Sequence, residues 1–141
     1  MKLEERILRS VKQRRGNIVL RSDFADMGSS TRITEVLRSL QQRGILIRVG
    51  TGVYSKTRVS TVTGRRIAAG SLETLASEIL DKFGIKVEPS RAAKAYNAGL
   101  TTQIPGSLVV NTGDKRISRK IFVGGRNLKY ENNIQSSVAT A

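Results

Sequence analysis

The stretch from residue 29 to residue 56, SSTRITEVLRSLQQRGILIRVGTGVYSK, carries the strongest structural pattern in this 141-residue sequence. Its first half places apolar residues at the i, i+3, i+4, i+7 spacing of an amphipathic helix. These residues are Ile33, Val36, Leu37 and Leu40. Hydroxyl groups at Ser29 to Thr31 can cap the N-terminus of this helix, and Gly44 follows its last turn. The pattern predicts a helix that ends near residue 43.

The second half of the stretch predicts a β-hairpin directly behind the helix, with Gly50, Thr51 and Gly52 as its loop. In this register Val49 pairs with Val53, and period-two alternation assigns the flanking side chains to two faces. An apolar face, expected to rest on a core, comprises Ile45, Ile47, Val49 and Val53. The opposite, cationic face comprises Leu46, Arg48, Tyr54 and Lys56. Taken alone, such a hairpin is equally typical of an ordinary solvated surface.

Residues 1–28 predict three short elements before the main helix. An amphipathic helix is expected over residues 3 to about 15, a short strand or an extended connection over 17–20, and a helix of one or two turns in DFADM, which Ser22 would cap. The predicted order of elements is helix, strand, short helix, helix and hairpin. This is the order of a winged helix-turn-helix, in which the second helix of the motif enters the major groove of DNA. We expect such a domain over residues 1–58.

The charge of the chain points to a polyanionic partner. Lys and Arg number 25 and Asp and Glu number 11, for a net charge of +14. Residues 1–66 contain 15 of the basic and 5 of the acidic residues, so the excess lies in the predicted DNA-binding half. Nucleic acid and an anionic membrane surface are both partners of this kind.

Several classes of function are disfavoured by what the sequence lacks. It contains no cysteine and no histidine, which removes the usual zinc ligands and the commonest general base. We therefore expect no enzyme, no metal and no cofactor. No apolar run reaches the roughly 20 residues that span a bilayer, and no signal peptide is recognisable, so a cytoplasmic protein without a membrane partner is expected. Six aromatic residues offer few stacking platforms for single-stranded nucleic acid.

The remainder of the chain predicts a second unit, which makes the expected fold class α+β. Residues 59–70 are basic and rich in hydroxyl groups and are interpreted as a connector. Residues 71–131 predict a small α+β domain with two helices, the second capped by Ser90, and then about three antiparallel strands. The strands are expected in SLVVN, RISRKIFV and NLKYE, with a hairpin turn at Gly124-Gly125. Residues 132–141 predict a flexible tail.

Eight side chains are expected to contact double-stranded DNA. The residues predicted to contact bases in the major groove, or to position the helix there, are Ser30, Thr31, Arg32, Thr34 and Arg38. Those predicted to contact phosphates or the minor groove are Arg48, Thr51 and Lys56. Glu35 can accept a hydrogen bond from a cytosine amino group or pair with an arginine of its own helix. Arg65 and Arg66, in the expected connector, can contact phosphate or lie on the solvated surface, and the solvated surface is the favoured interpretation.

Three runs of the sequence also resemble a known family. The run RRGNIVLRSDFADMGSSTRITEVLRSLQQRGILIRVGTGVYSK resembles the winged-helix domain of AbiEi-type antitoxins, which belong to type IV toxin–antitoxin systems with a nucleotidyltransferase toxin. The shared patterns are Arg15-Gly16, Asp23 to Gly28, Leu40 to Ile45 and Gly52 to Tyr54. The runs FGIKVEPSRAAKAYNAGLTTQIPG and RKIFVGGRNLKYE are similar to the C-terminal region of short members. Together the resemblance covers about residues 5 to 131.

The resemblance implies a DNA-binding repressor of its own operon, with a C-terminal part that relieves toxicity. In a type IV system the antitoxin need not bind its toxin directly, and repressors of this kind often act as two copies on DNA. This chain is shorter than many family members. The alternative is a protein-interaction module, in which the C-terminal strands or the segment AYNAGLTTQIP dock a toxin and nucleic-acid binding is only non-specific.

Overall fold

The computed structural model of the protein describes residues 2–99 and 108–133. The described chain has an α+β fold with four α-helices and a 3-10 helix over Arg21–Phe24. The α-helices are α1 (Leu3–Gln13), α2 (Ser30–Gln42), α3 (Leu72–Lys82) and α4 (Arg91–Asn97). The strands are β1 (Ile18–Leu20), β2 (Leu46–Gly50), β3 (Val53–Val59), β4 (Arg66–Ala68), β5 (Glu88–Pro89), β6 (Val109–Asn111), β7 (Phe122–Val123), β8 (Arg126–Asn127) and β9 (Lys129–Glu131).

A central antiparallel sheet has the strand order β1-β3-β2, and β4 pairs with the far end of β3. A smaller sheet has the order β5-β6-β9, in which β6 is antiparallel to β5 and parallel to β9. The strands β7 and β8 form a separate hairpin. The structure therefore confirms the hairpin at Gly124-Gly125, whereas the expectation of an entirely antiparallel C-terminal set is wrong.

The central sheet is covered on both faces. On one face it packs against α1, the 3-10 helix and α2 in a cluster that includes Ile7, Val11, Val19, Phe24, Ile33, Leu37, Leu40, Leu46 and Tyr54. On the other face it packs against α3 and the C-terminal segment in a cluster that includes Ile18, Val49, Val53, Leu72, Leu75, Ile79, Leu80, Ile121 and Leu128. The second cluster joins residues from both halves of the chain, so the sheet is the middle layer of three.

Serine side chains cap three of the helices, two of them at the predicted Ser29 and Ser90 and the third at Ser71. The hydroxyl oxygens of Ser29, Ser71 and Ser90 accept hydrogen bonds from backbone N–H groups in the first turns of α2, α3 and α4, at 3.2, 3.2 and 3.0 Å. Each bond satisfies a backbone donor that the helix itself leaves unpaired. The 3-10 helix is different, because it begins at Arg21 and not after Ser22. There the carboxylate of Asp23 accepts from the N–H of Leu20 at 2.9 Å.

The first hairpin differs from its predicted register by a bulge at Val49. Arg48 pairs with Tyr54 and Gly50 pairs with Val53, so the loop is Thr51-Gly52 and the predicted pair of Val49 with Val53 does not form. The predicted faces are also wrong in part. Leu46 and Tyr54, expected on the cationic face, are 2% and 8% exposed, whereas Ile47, expected in the core, is 37% exposed. Leu46 and Tyr54 are buried because they pack in the cluster formed with α1, the 3-10 helix and α2.

The expected connector over residues 59–70 is instead part of a second hairpin. Strand β3 continues to Val59, and β4 pairs with it, with Thr57 opposite Ala68 and Val59 opposite Arg66. The turn between the strands spans residues 60–65. Alternating Val and Thr residues favour this extended ribbon, although their weak apolar contrast gives little periodic signal.

The C-terminal run RISRKIFV forms a strand only at its end, in β7. Its preceding residue, Ile121, makes an antiparallel bridge to Gly50 and ties the C-terminal segment to the first hairpin. The carboxylate of Glu78 on α3 accepts hydrogen bonds from the N–H groups of Asn17 and Ile18, at 3.1 and 2.7 Å. Most of the segment AYNAGLTTQIP and of the predicted tail lies outside the described residues.

Candidate nucleic-acid interface

Helix α2 divides its side chains between the core and the solvent as its periodicity predicts. Ile33, Leu37 and Leu40 are buried against α1 and the sheet. The outward face consists of exposed side chains that can form hydrogen bonds. These are Thr31, Arg32, Thr34, Glu35, Arg38 and Gln42. Side chains of this kind and length suit the edges of bases in a major groove.

A groove between α2 and β2 brings together residues that are distant in the sequence. Thr34 and Arg38 line it from the helix, and Arg48 and Tyr54 line it from the sheet. The Nε atom of Arg48 donates to the carbonyl of Gly50 at 3.2 Å, which orients its guanidinium group along the strand. Three of the eight predicted DNA contacts therefore share one surface.

The N-terminal end of α2 is electropositive. A side-chain nitrogen of Arg21, Nη2, donates to the carbonyl and to the hydroxyl oxygen of Ser30, each at 2.8 Å. The first turn contains no acidic residue and carries Arg32. A helix N-terminus already bears a partial positive charge, so these arginines add to a field that attracts phosphate groups. Arg21 is a residue that the sequence analysis did not assign to the interface.

The two arginines on the outward face are free of carboxylate partners within residues 2–99 and 108–133. The ion pairs there involve other cations, such as Arg43 with Glu4 at 3.6 Å and Arg14 with Asp23 at 3.5 Å. Glu35 therefore does not form the predicted ion pair with Arg32 or Arg38. Unpaired arginine side chains can exchange water for phosphate or base acceptors without first breaking a salt bridge.

Thr51 is exposed at the tip of the first hairpin, but this tip is not free-standing. The carbonyl of Gly52 accepts from the N–H of Arg21 at 2.9 Å, and Gly50 is bridged to Ile121. A side chain at Gly50 would place its Cβ 2.8 Å from the carbonyl oxygen of Lys120, so only glycine fits there. Thr51 consequently lies beside the N-terminal end of α2, in a second groove that includes Arg21, Ser30, Phe83 and Arg119.

Lys56 is separated from the other predicted contacts. It lies on β3 opposite Leu46, and its Nζ donates to the carbonyl of Arg14 behind α1. The side chain is partly buried there. Its predicted contact with phosphates or the minor groove stays a prediction, and in this structure the ammonium group satisfies a backbone acceptor at the end of α1.

A further group of cations surrounds the second hairpin. From Val36 to Leu72 the sequence has seven basic residues and no Asp or Glu. Arg58, Arg65 and Arg66, on this hairpin, are all exposed. The signal that could have identified this surface is the absence of Asp and Glu between residues 36 and 72. The net charge of the whole chain does not reveal it.

Two kinds of feature were not found among the described residues, a metal-holding cluster and a candidate membrane span. No cluster of three acidic, His or Cys side chains that could hold a metal ion is present among them. Within the same ranges no helix has the length and apolar character that a membrane span requires. What the arrangement can do chemically is bind an anion through arginine and hydroxyl groups.

Comparison with models of protein families identifies the family of this chain. Residues 3–140 match the model of DUF6088, a family of unknown function. Because the match extends over nearly the whole chain, the protein belongs to this family. No curated protein matches the sequence significantly.

Proposed function

We propose that this DUF6088 protein is a sequence-specific regulator of transcription that binds double-stranded DNA. In this proposal residues 1–58 form a winged helix-turn-helix and α2 enters the major groove. The observation that carries the proposal is the outward face of α2, where Arg32 and Arg38 have no carboxylate partner in the described chain and Arg48 lines a groove together with Arg38. An ordinary solvated helix face would carry a mixture of Lys and Glu in its place.

The proposed residues divide into two roles. Thr34 and Arg38, in the middle of α2, are placed to read base edges, and an arginine there is suited to a bidentate contact with guanine. At the N-terminal end of α2 lie Ser30, Thr31 and Arg32. Together with Arg21 they would bind a phosphate group at the positive end of the helix dipole. Arg48 and Thr51 flank the helix on either side and would contact the backbone.

The biological role that we propose is that of an autorepressing antitoxin. It rests on the resemblance of residues 14–56 and 83–131 to AbiEi-type antitoxins. The functional partner would then be a nucleotidyltransferase toxin encoded beside it, which need not be bound directly. The DNA partner would be the operator of its own operon in the cytoplasm, occupied by two copies of the chain.

The proposal is tested by fluorescence anisotropy with DNA from immediately upstream of the gene and with a scrambled duplex of equal length. Titrations at several salt concentrations should give log affinities that fall linearly with log salt for both duplexes. We expect a preference of about 10³ or more for the upstream DNA that persists as salt rises. Equal affinities that salt abolishes would refute sequence-specific recognition. They would favour the protein-interaction alternative, which a pull-down with the neighbouring gene product then examines.

A further inference from the structure

The second hairpin projects beyond the rest of the central sheet. Strand β1 pairs with β3 only at Val53 to Ser55, and β2 pairs with it as far as Lys56. From Thr57 to Val59 the partner of β3 is β4. Residues 57–68 therefore form a two-stranded ribbon with a six-residue turn, a shape that fits into a groove of DNA or along its backbone.

The ribbon is cationic over its whole length. Arg58, Arg65 and Arg66 are exposed, and no carboxylate occurs between Glu35 and Glu73 in the sequence. None of the three arginines forms an ion pair with a described residue. Arg66 donates to the hydroxyl of Thr57 at 3.1 Å, which leaves its charge uncompensated. The positive charge favours an anionic partner over an apolar one, and the shape of the ribbon suits the phosphate backbone of a duplex.

The tip of the ribbon is ordered by its own hydrogen bonds. The N–H of Gly64 donates to the carbonyl of Ser60 at 2.9 Å, and the N–H of Ser60 donates to the carbonyl of Arg65 at 2.8 Å. The hydroxyl of Ser60 accepts from two more N–H groups in the turn, at 3.2 and 3.3 Å. A preformed tip loses little conformational freedom on binding, which favours contact with a rigid duplex.

The base of the ribbon adjoins the C-terminal end of α2. The hydroxyl of Thr57 donates to the carbonyl of Gly44, just past the helix, at 2.6 Å. Alternation along β3 places Arg58 on the same sheet face as Tyr54, which is paired with Arg48. Helix α2 has 13 residues and is about 20 Å long, so a duplex in contact with its outward face lies within reach of the ribbon at the helix end.

From these observations we infer that the β3–β4 hairpin is a second DNA-contacting arm, which binds backbone phosphates beside the bases that α2 reads. The inference rests on the proposed function and adds a contact surface to it. The arm takes the role that a free wing would have, since the β2–β3 turn is held against Arg21 and Ile121. Its arginines would add to affinity for every sequence alike, because phosphates carry no sequence information.

The test compares the salt dependence of DNA binding between variants of the full chain. Arg58→Ser/Arg65→Ser removes two charges from the arm. Lys82→Ser/Lys86→Ser is the matched control, because it removes two exposed charges from the end of α3 and the segment behind it. Arg58→Lys/Arg65→Lys keeps the charge. Thermal melts establish that each variant is folded, and anisotropy gives the slope of log affinity against log salt on the upstream and scrambled duplexes.

We expect the arm variant to lower the magnitude of the slope by about 2 on both duplexes, since each phosphate contact contributes about 0.9. The control and the lysine variant should retain the slope of the unmodified protein. An unchanged slope in the arm variant, with the preference for upstream DNA intact, would overturn the arm and leave the proposed function standing. Absence of any DNA binding by the unmodified protein would overturn both.

Discussion

The two turns that flank strand β3 are built from similar residues but differ in their surroundings. The turn before it, Thr51-Gly52, is short, and its neighbours are bonded to Arg21 and Ile121. The turn after it, over residues 60–65, extends from a two-stranded ribbon and bonds only within itself among the described residues. One turn is held between two parts of the molecule and the other is presented to solvent.

The difference shows that glycine content does not identify a wing. Both turns contain glycine at positive φ, Gly52 at 68° and Gly64 at 72°. They differ in what lies next to them among the described residues: Gly50, beside the first turn, is bridged to Ile121 of the C-terminal segment, whereas the second turn is bonded only within its own hairpin. Substitutions at the first turn should therefore mainly lower stability. Substitutions at the second turn should mainly lower DNA affinity.

The largest expected effect is on the contact that holds the first turn. Ile121 is 1% exposed and bridged to Gly50, so Ile121→Ala should lower the free energy of unfolding by about 2–5 kcal/mol through the lost burial and the cavity left behind. Urea denaturation measures this loss. At the second turn Val62 is 91% exposed, and Val62→Ala should change the same quantity by less than about 0.5 kcal/mol. Equal effects of the two substitutions would contradict the comparison.

The next effect concerns the glycine that the first turn requires. Gly50→Ala would bring a Cβ atom to 2.8 Å from the carbonyl of Lys120, and the backbone shift should cost about 1–3 kcal/mol. Hydrogen exchange at the amide of Arg21, which donates to Gly52, should become faster. Gly64→Ala is the control, because no atom lies within 4 Å of its Cβ position and only its φ is strained. Faster exchange at Arg21 in that control would show that the two turns are coupled.

The smallest of the three effects is at Lys56, on the strand between the turns. Lys56→Met removes the hydrogen bond to the carbonyl of Arg14 and should cost about 0.5–1.5 kcal/mol of stability. We expect DNA affinity to change by less than about twofold, since the side chain is engaged behind α1 and not at the interface. A uniform loss of affinity for all duplexes, as a phosphate contact would give, would return Lys56 to the DNA-binding set.

The elements that the sequence predicts well are those with local causes. The helices α2 and α3 follow from apolar residues at helical spacing, a serine cap and a glycine behind the last turn. The hairpin at Gly124-Gly125 follows from a turn dipeptide. Each of these signals lies within a few residues of the structure that it specifies.

The elements that the sequence does not predict depend on contacts between distant residues. Tyr54 is buried because α1 and α2 pack on its face of the sheet, and the bond from Ile18 to Glu78 joins residues 60 positions apart. The same holds for the site. Spacing in one helix predicts that Thr34 and Arg38 share a face, but the capture of Lys56 by a backbone carbonyl has no sequence signature.

The central claim, that α2 reads bases while the second hairpin contacts phosphates, is tested most directly by measuring Arg38→Ala and Arg58→Ser on upstream and scrambled DNA under identical salt. We predict that Arg38→Ala costs about 1–3 kcal/mol on the upstream duplex and little on the scrambled one, because a bidentate contact to guanine discriminates between bases. Arg58→Ser should weaken both duplexes by the same factor. Equal losses on both duplexes for Arg38→Ala would contradict base reading by α2.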